Sequence, residues 1–174
     1  MPDVAYPIGK YIPQPYSELQ LADWLLDIQV LPKLLEQSII NLDAAQLEIP
    51  YRAGGWNIRQ VVHHLADSHI NAFIRFKLGL SENNPTIKPY LQDAWVLQAD
   101  TTTVPINVSI TLLFALHARM HALLQSCTLA DWHKKITHPE HGTQMTLWYV
   151  LGNYAWHGKH HTAHINNLRE VNGW

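Results

Sequence analysis

Apolar residues recur at intervals of three and four along most of this chain. Such spacing places them on one face of an α-helix, whereas the alternation typical of a half-buried strand is almost absent. Helices that each carry one apolar face assemble into bundles. The length, 174 residues, is typical of one domain. The sequence therefore predicts an all-α protein, an antiparallel four-helix bundle in which residues 1–174 form a single domain.

Capping residues and one proline predict where these helices begin and end. Ser17 and Thr146 are candidate N-caps, and Asn57 followed by Gln60 forms a candidate capping pair. Pro32 lies inside the first apolar segment, which it should break or kink because proline has no N–H to donate. The helical segments are expected at residues 17–31, 32–40, 57 to about 80, 108–126, and 146 to about 168 or 169.

The remaining segments are expected to be largely irregular. The first fifteen residues contain four prolines, which predicts an extended N-terminal arm instead of a helix. Residues 85–105 should be mostly loop, and the sequence KITHPEHGTQMT at 135–146 is compatible with a loose hairpin.

Composition excludes several classes of function. Twelve Lys and Arg against 14 Asp and Glu give a net charge of −2, which provides no field for gathering phosphates. We therefore expect neither a nucleic-acid partner nor a membrane partner. Cys127 is the single cysteine, so an internal disulfide is impossible and a metal site could take at most one cysteine ligand. No apolar run resembles a signal peptide, and the apolar stretch near 146–156 is too short to span a bilayer. A cytoplasmic protein is expected.

The most unusual feature of the composition is histidine, of which there are 12. In the last helix, the apolar face that begins with Leu and Val continues as histidine in the sequence WHGKHHTAH. His157 and His161 are four residues apart, so their rings project from adjacent turns and can reach one ion. His160 and His164 have the same spacing, but His160 should point further outward. A buried imidazole needs partners for its nitrogens, and a metal ion would be one.

A catalytic metal usually has three protein ligands, so a third must come from another segment. The sequence VVHHLADSH offers three histidines, and helical geometry alone favours His69, which lies in the apolar stripe, over His64 at its border and the outward His63. Histidines that merely pack and hydrogen-bond remain an alternative to a metal site. Other candidate pairs are His117 with His121, more typical of packing, and His138 with His141 in a loop.

Two sequence motifs resemble a known family. The stretch PYRAGGWNIRQVVHHLADSHINAFIRFKL together with WHGKHHTAHI closely resembles the YfiT branch of the DinB superfamily. The likeness extends over most of the chain, including the YPIGKY and KPYLQDAW segments. It implies a four-helix bundle with one divalent metal held by three histidines, which match His64, His157 and His161. It therefore replaces His69 by His64 as the expected third ligand.

The resemblance also implies an activity. Members of this branch are regarded as metal-dependent hydrolases or as thiol transferases that use bacillithiol, and homodimers are common among them. We accordingly expect Zn²⁺ or Ni²⁺, a small-molecule substrate, a low-molecular-weight thiol as cosubstrate and a homodimer.

Three hypotheses remain from the sequence. The first is thiol S-transfer, in which the metal activates a thiol, and the second is hydrolysis by activated water, with Asp67 as the nearby carboxylate for acid–base chemistry. His164 is a further candidate for a role beside the substrate. The third is a metal-binding stress-response module without catalysis.

Overall fold

The computed structural model of the protein describes residues 4–140 and 142–174. Its four long helices confirm the predicted bundle, and a two-stranded sheet and four short helices lie in the connections. The elements in chain order are α1 (Glu18–Ile39), α2 (Ala44–Leu47), α3 (Ile58–Ser81), α4 (Gln92–Trp95), α5 (Ala99–Thr103), α6 (Ile106–Gln125), α7 (Leu129–Trp132), β1 (Lys135–His138), β2 (Thr143–Thr146) and α8 (Leu147–Asn172).

The predicted caps are present at three of the long helices. The Ser17 and Thr146 side chains accept hydrogen bonds from backbone N–H groups of the first turns of α1 and α8. At α3, Asn57 and Gln60 form the reciprocal capping box. These bonds satisfy backbone donors that a helix leaves without internal partners, so local sequence was sufficient to place the helix starts.

Other boundaries differ from prediction. The predicted loop at 85–105 contains the short helices α4 and α5, α6 begins two residues earlier than expected, at Ile106, and α8 continues to Asn172. Gly173, with a left-handed φ of 70°, ends α8. The hairpin is confirmed: β1 and β2 pair in antiparallel register from Lys135 opposite Thr146 to His138 opposite Thr143.

The prediction that Pro32 would break the first helix is wrong, because α1 continues through it. Proline at this position leaves the carbonyl of Ile28, four residues earlier, without its helical N–H donor. The Nδ1–H of His117 on α6 donates to that carbonyl instead. A side chain from a neighbouring helix thus replaces the missing backbone bond, which sequence periodicity does not encode.

The four long helices form a ring in which α1 and α3 are diagonal. Helix α1 packs against α6 and α8, and α3 packs against the same two helices. Contacts between His63 and Ser109 and between His69 and His117 show that α3 and α6 run parallel. Helices α1 and α8 are also parallel, whereas α1 with α6 and α3 with α8 are antiparallel. The four-helix bundle is as predicted, but only two of its four neighbouring pairs have the predicted antiparallel direction.

Two apolar clusters fill the bundle, and histidines lie between them. One cluster surrounds the first half of α8 and includes Trp24, Phe76, Trp132, Leu147 and Trp148. The other lies at the opposite end and includes Leu35, Ile58, Leu65, Leu113 and Ile165. The buried histidines are His63, His64, His69, His117, His160, His161 and His164.

The N-terminal arm lies along α8, in agreement with its predicted extended form. The indole N–H of Trp148 donates to the carbonyl of Gln14 at 2.7 Å, and that of Trp156 donates to the carbonyl of Gly9 at 3.1 Å. Tyr11 packs where Gly152 has no side chain to exclude it. The arm thereby brings Tyr6 to the histidine-rich part of α8.

Residues 146–156 form the apolar stretch considered from the sequence. Among the described helices, the one long and apolar enough to be compared with a membrane span is α6 instead. By length and composition alone α6 could cross a membrane, and a third of its most apolar window is buried in the protein. Its buried face includes Leu113, His117 and Met120, which pack in the interior of the bundle.

Candidate metal centre

Three histidines from two helices meet in the interior of the bundle. His64 lies in the second turn of α3, and His157 and His161 lie one turn apart on α8. One ring nitrogen from each lies within 4.8 Å of the other two. The Nε2 atoms of His64 and His157 are 3.2 Å apart. The structure thus brings together the three histidines that the family resemblance selected.

The geometry of this cluster fits a metal ion. Metal–nitrogen bonds of about 2.0 to 2.1 Å at tetrahedral angles place neighbouring ligand nitrogens about 3.3 Å apart, close to the separation of the two Nε2 atoms. The Nδ1 atoms of His157 and His161 are buried and have no hydrogen-bond partner. A histidine that binds a metal through Nε2 carries its proton on Nδ1, so in this arrangement Nδ1 is the N–H side of the ring and is not itself a ligand.

The electrostatics of the cluster also suit a cation. Burial lowers the pKa of His64 to about 4. Burial, reinforced by the neighbouring histidines, lowers the pKa values of His157 and His161 well below their usual range. All three rings are therefore neutral near pH 7, and a neutral imidazole has the free lone pair that a metal requires.

A cavity of about 620 Å³ opens beside His157 and His161 and is walled by aromatic side chains. Trp56 lies 4.5 Å from His64 between ring centroids, and Trp156 stacks on His160 at the same separation. Tyr6 of the N-terminal arm lines the cavity as well. A small molecule entering here would meet apolar ring faces before it reached the three histidines.

A second cavity, of about 520 Å³, reaches His157 from another side. It lies between α3, α8 and the segment 89–93, and its lining includes Ser68, Arg75, Tyr90 and Tyr154. Two cavities therefore reach the three-histidine cluster: the first combines aromatic walls with Arg52, and the second contains Arg75.

His69, which helical geometry alone favoured as a ligand, does not join the cluster. It is fully buried, stacks on His117 at 4.8 Å and lies 5.6 Å from His157 between ring centroids. Both of its ring nitrogens lack hydrogen-bond partners. His117 serves to bond the Ile28 carbonyl, which agrees with a packing role, and His121 is half-buried on the same helix.

Two predictions of outward-facing histidines are wrong. His63 is buried and its Nδ1 lies 2.8 Å from Ser109 Oγ on α6, because α6 packs on the side of α3 that periodicity assigned to solvent. His160 is buried because the N-terminal arm covers it, and its Nε2 lies 3.0 Å from that of His164. His164 stacks on Tyr51 at 3.9 Å.

The described histidines of the connecting segments, His133 and His138, do not belong to the three-histidine cluster. His133 is exposed and its Nδ1–H donates to the carbonyl of Leu129. His138 lies in β1 and lines the second cavity, whereas its proposed partner His141 lies outside the described residues.

The carboxyl group of Asp67 lies one turn beyond His64 on α3. Burial, together with the charge of Asp100, raises its pKa to about 6. A carboxyl with such a pKa can exchange protons near neutral pH. Cys127 is half-buried, and burial raises the pKa of its thiol to about 11, which makes it a poor nucleophile.

Several residues of the site were not identified from the sequence. Trp56 and Trp156 both line the first cavity, although the sequence singled out neither as a site residue. The sequence did not identify Arg75 or Tyr6 as site residues, because single arginines and tyrosines are common at protein surfaces. Their positions depend on how distant segments pack.

Comparisons with known proteins agree with this architecture. Residues 28–165 match the family model described as the DinB superfamily. The chain is 47% identical, over all of both chains, to proteins from Bacillus cereus and Bacillus thuringiensis that carry the name "Putative metal-dependent hydrolase". It superposes with a TM-score of 0.96 and 43% identity, over 98% of each chain, on YfiT from Bacillus subtilis, described as a probable metal-dependent hydrolase with an unusual four-helix bundle topology. The chain therefore belongs to the DinB superfamily.

Proposed function

We propose that this protein is a divalent-metal-dependent enzyme in which His64, His157 and His161 hold the metal ion. The observation that carries this proposal is the convergence of three buried ring nitrogens within 4.8 Å, next to two cavities large enough for a small molecule. Three neutral ligands leave the ion its full charge, and Zn²⁺ or Ni²⁺ is the metal we expect.

A metal in this site would lower the pKa of a bound nucleophile, either a thiol or water. The protein contributes the rest of the chemistry. The two helices fix the directions of the three imidazoles, because His157 and His161 belong to one rigid helix and His64 to its antiparallel neighbour. The walls formed by Trp56 and Trp156 exclude bulk water from the ligand nitrogens and orient a flat or apolar substrate.

Thiol S-transfer is the reaction we favour. In this reaction the thiol gives its proton to solvent, its sulfur forms a bond to an electrophilic carbon, and the leaving group departs with the electron pair of the bond that breaks. A metal-activated thiol needs no separate base in the site, and the three-residue cluster consists of histidines alone. The resemblance to thiol transferases of the same branch supports a low-molecular-weight thiol such as bacillithiol as cosubstrate.

Hydrolysis is the second candidate, favoured by the names of the relatives and by Asp67. With a pKa of about 6, this carboxylate could accept the proton that an attacking water loses. The two candidates use the same metal site and differ in the nucleophile.

The metal site is tested by replacing one ligand and one histidine outside the site. His161→Ala should remove most of the bound metal and reduce activity at least about a hundredfold, because a missing ligand weakens both coordination and charge stabilisation. His133→Ala, at the exposed α7 end, is the matched control and should retain both. Elemental analysis and activity after chelation are the measurements. Full activity in His161→Ala would refute the proposal.

Product analysis distinguishes the three functional hypotheses. Metal-loaded protein is incubated with a low-molecular-weight thiol and an electrophilic acceptor in water enriched in oxygen-18. A thioether product supports thiol transfer, and a product carrying oxygen-18 supports hydrolysis. Metal binding with neither product over a broad set of acceptors would favour the non-catalytic stress-response module.

A further inference from the structure

Arg75 is a charged residue of α3 that the metal chemistry described above does not use. Its side chain is half-buried and lines the second cavity together with His157. One terminal nitrogen, Nη1, donates to the hydroxyl oxygen of Tyr154 at 2.7 Å. The Nε–H is buried, has no hydrogen-bond partner and is closed to solvent. The other terminal nitrogen, Nη2, is neither buried in this way nor hydrogen-bonded, so it is the donor that an acceptor in the cavity would meet.

No carboxylate of the described residues neutralises this arginine. The ion pairs they form lie elsewhere, and no Asp or Glu oxygen among them comes within 4 Å of an Arg75 nitrogen. Asp93 and Glu140 also line the cavity, but both are exposed at its rim.

Arginine stays charged at every physiological pH, so an unpaired guanidinium cannot relieve its desolvation by losing a proton. Keeping it in this wall lowers stability unless a ligand pairs with it. Its planar fork matches a carboxylate in two-point contact.

We propose that Arg75 binds an anionic carboxylate group of the substrate and so directs the reacting part of that molecule toward His157. This proposal extends the proposed function and rests on it, because the bound molecule is a substrate only if the protein is an enzyme. The Arg75–Tyr154 bond fixes one terminal nitrogen of the guanidinium and leaves Nη2 for the ligand. Tyr154 also approaches His157, at 5.9 Å between ring centroids, so the anion site and the three-histidine cluster are connected through one side chain.

The neighbouring surface indicates what the rest of the ligand would resemble. An apolar cavity of about 570 Å³ shares Arg75, Pro89, Tyr90 and Leu91 with the arginine cavity, and Ile74 and Ile87 contribute to its lining. A carboxylate bound at Arg75 could extend an apolar body into this space. The ligand class is therefore an organic carboxylate with an apolar chain or ring, in preference to a small hydrophilic anion.

Binding of three probe molecules tests the proposal on the wild-type protein: hexanoate, the neutral analogue hexanamide, and acetate. Calorimetry should show hexanoate binding at least about tenfold more tightly than either of the others, because hexanamide lacks the charge and acetate lacks the apolar chain. Backbone amide signals of Tyr90 and Asn153 should shift on titration. Equal binding of hexanoate and hexanamide, or shifts at Gly54 and Gly55 of the first cavity instead, would overturn the proposal.

Variants identify the charge responsible. Arg75→Gln should reduce hexanoate binding to the level of hexanamide, and Arg75→Lys should retain part of the preference. Arg119→Gln is the matched control, since Arg119 is an exposed arginine stacked on Phe73 and should leave binding unchanged. If Arg75→Gln fails to fold, the comparison of the three probes on the wild type and the Arg75→Lys variant still test the proposal. An Arg75→Lys variant with an unchanged preference for the anion and no shift at Tyr90 would refute a role for Arg75.

Removal of metal separates this proposal from the proposed function. Hexanoate should bind with similar affinity before and after chelation, because the anion is held by Arg75. Loss of binding on chelation would mean that the carboxylate occupies the metal and would overturn the inference. Retained binding in a protein with no metal-dependent activity would refute the proposed function alone.

Discussion

The apolar first half of α8 (147–156) and the histidine-bearing half that follows it (157–172) both bury side chains in the bundle, but they are stabilised very differently. In the first half, Leu147, Leu151 and Ala155 are buried among apolar side chains of the Trp148 cluster. In the second half, His161 and His164 are buried with comparable completeness. The first half buries apolar side chains, whose removal from water is favourable. The second half buries imidazoles, which lose their hydration.

This difference separates the part of the helix that stabilises the fold from the part available for function. Burying an imidazole whose nitrogen lacks a partner costs about 1 to 3 kcal/mol, and His157, His160 and His161 each have such a nitrogen. Hydrophobic burial in the first half offsets that cost. We infer that the bundle tolerates the histidine layer because the apolar clusters on both sides supply the folding free energy.

Among single substitutions, the largest effect on folding is expected from Leu147→Ala. Leu147 has 0% of its side chain exposed and packs where Gly79 allows α3 to approach closely, so truncation leaves a cavity. The free energy of unfolding should fall by about 2 to 5 kcal/mol in urea titration. Leu19→Ala, at a side chain with 76% exposure, should change it by less than about 0.5 kcal/mol. Similar losses in both variants would contradict the assignment of stability to the first half of α8.

Acidification of the metal-free protein should lower its free energy of unfolding through the buried histidines. His64, His117 and His164 have pKa values lowered from 6.5 to about 4 by burial, so below pH 6.5 the unfolded chain binds more protons than the folded one. Each histidine then lowers stability by about 2 kcal/mol between pH 7 and pH 5. Asp67, with its raised pKa, acts in the opposite direction by about 1 kcal/mol.

The net expectation from these four groups is a loss of about 5 kcal/mol in the free energy of unfolding between pH 7 and pH 5. Urea titrations at the two pH values measure it. Leu147→Ala should show the same pH dependence as the wild type, because it lies in the half without histidines. A constant free energy of unfolding across this range would show that the buried histidines are better solvated than their surroundings indicate.

A smaller effect of opposite sign is expected from His161→Leu. In metal-free protein this variant removes a buried nitrogen that lacks a partner, so the free energy of unfolding should stay constant or rise by about 1 to 2 kcal/mol. Chemical denaturation of metal-free wild type and variant is the measurement. A loss comparable to that of Leu147→Ala would mean that the second half of α8 also stabilises the fold.

The smallest effect is a coupling between Pro32 and His117. Pro32→Ala restores an N–H for the Ile28 carbonyl, so the hydrogen bond from His117 becomes less important. His117→Phe should therefore cost about 1 kcal/mol less in the Pro32→Ala background than in the wild type, as measured by a double-mutant cycle. Additive costs would show that the imidazole does not compensate for the proline.

Local sequence determined most of the helix positions. Caps at Ser17, Asn57 and Thr146 lie within three residues of their partners, so pattern alone located them. The effect of Pro32 could not be predicted in the same way, because the donor that repairs the helix lies 89 residues away. The parallel packing of α3 with α6 likewise depends on the long connection between them.

The candidate site was only partly predictable for the same reason. The spacing of His157 and His161 on one helix is a local property and predicted two ligands. The choice of His64 over His69 required the family resemblance, since periodicity reports which face is buried and not which ring nitrogens meet. Whether these residues bind metal, which metal they select and whether the chain dimerises stay predictions.

The wide separation of the three histidines along the chain has a consequence for biosynthesis. A nascent chain that has reached only β2 carries one of the three imidazoles, and the other two emerge with α8. The proposed centre therefore cannot capture an ion from the cellular pool until the first four turns of α8 have left the ribosome. Metal loading consequently follows the synthesis of α1 to β2 and does not guide it.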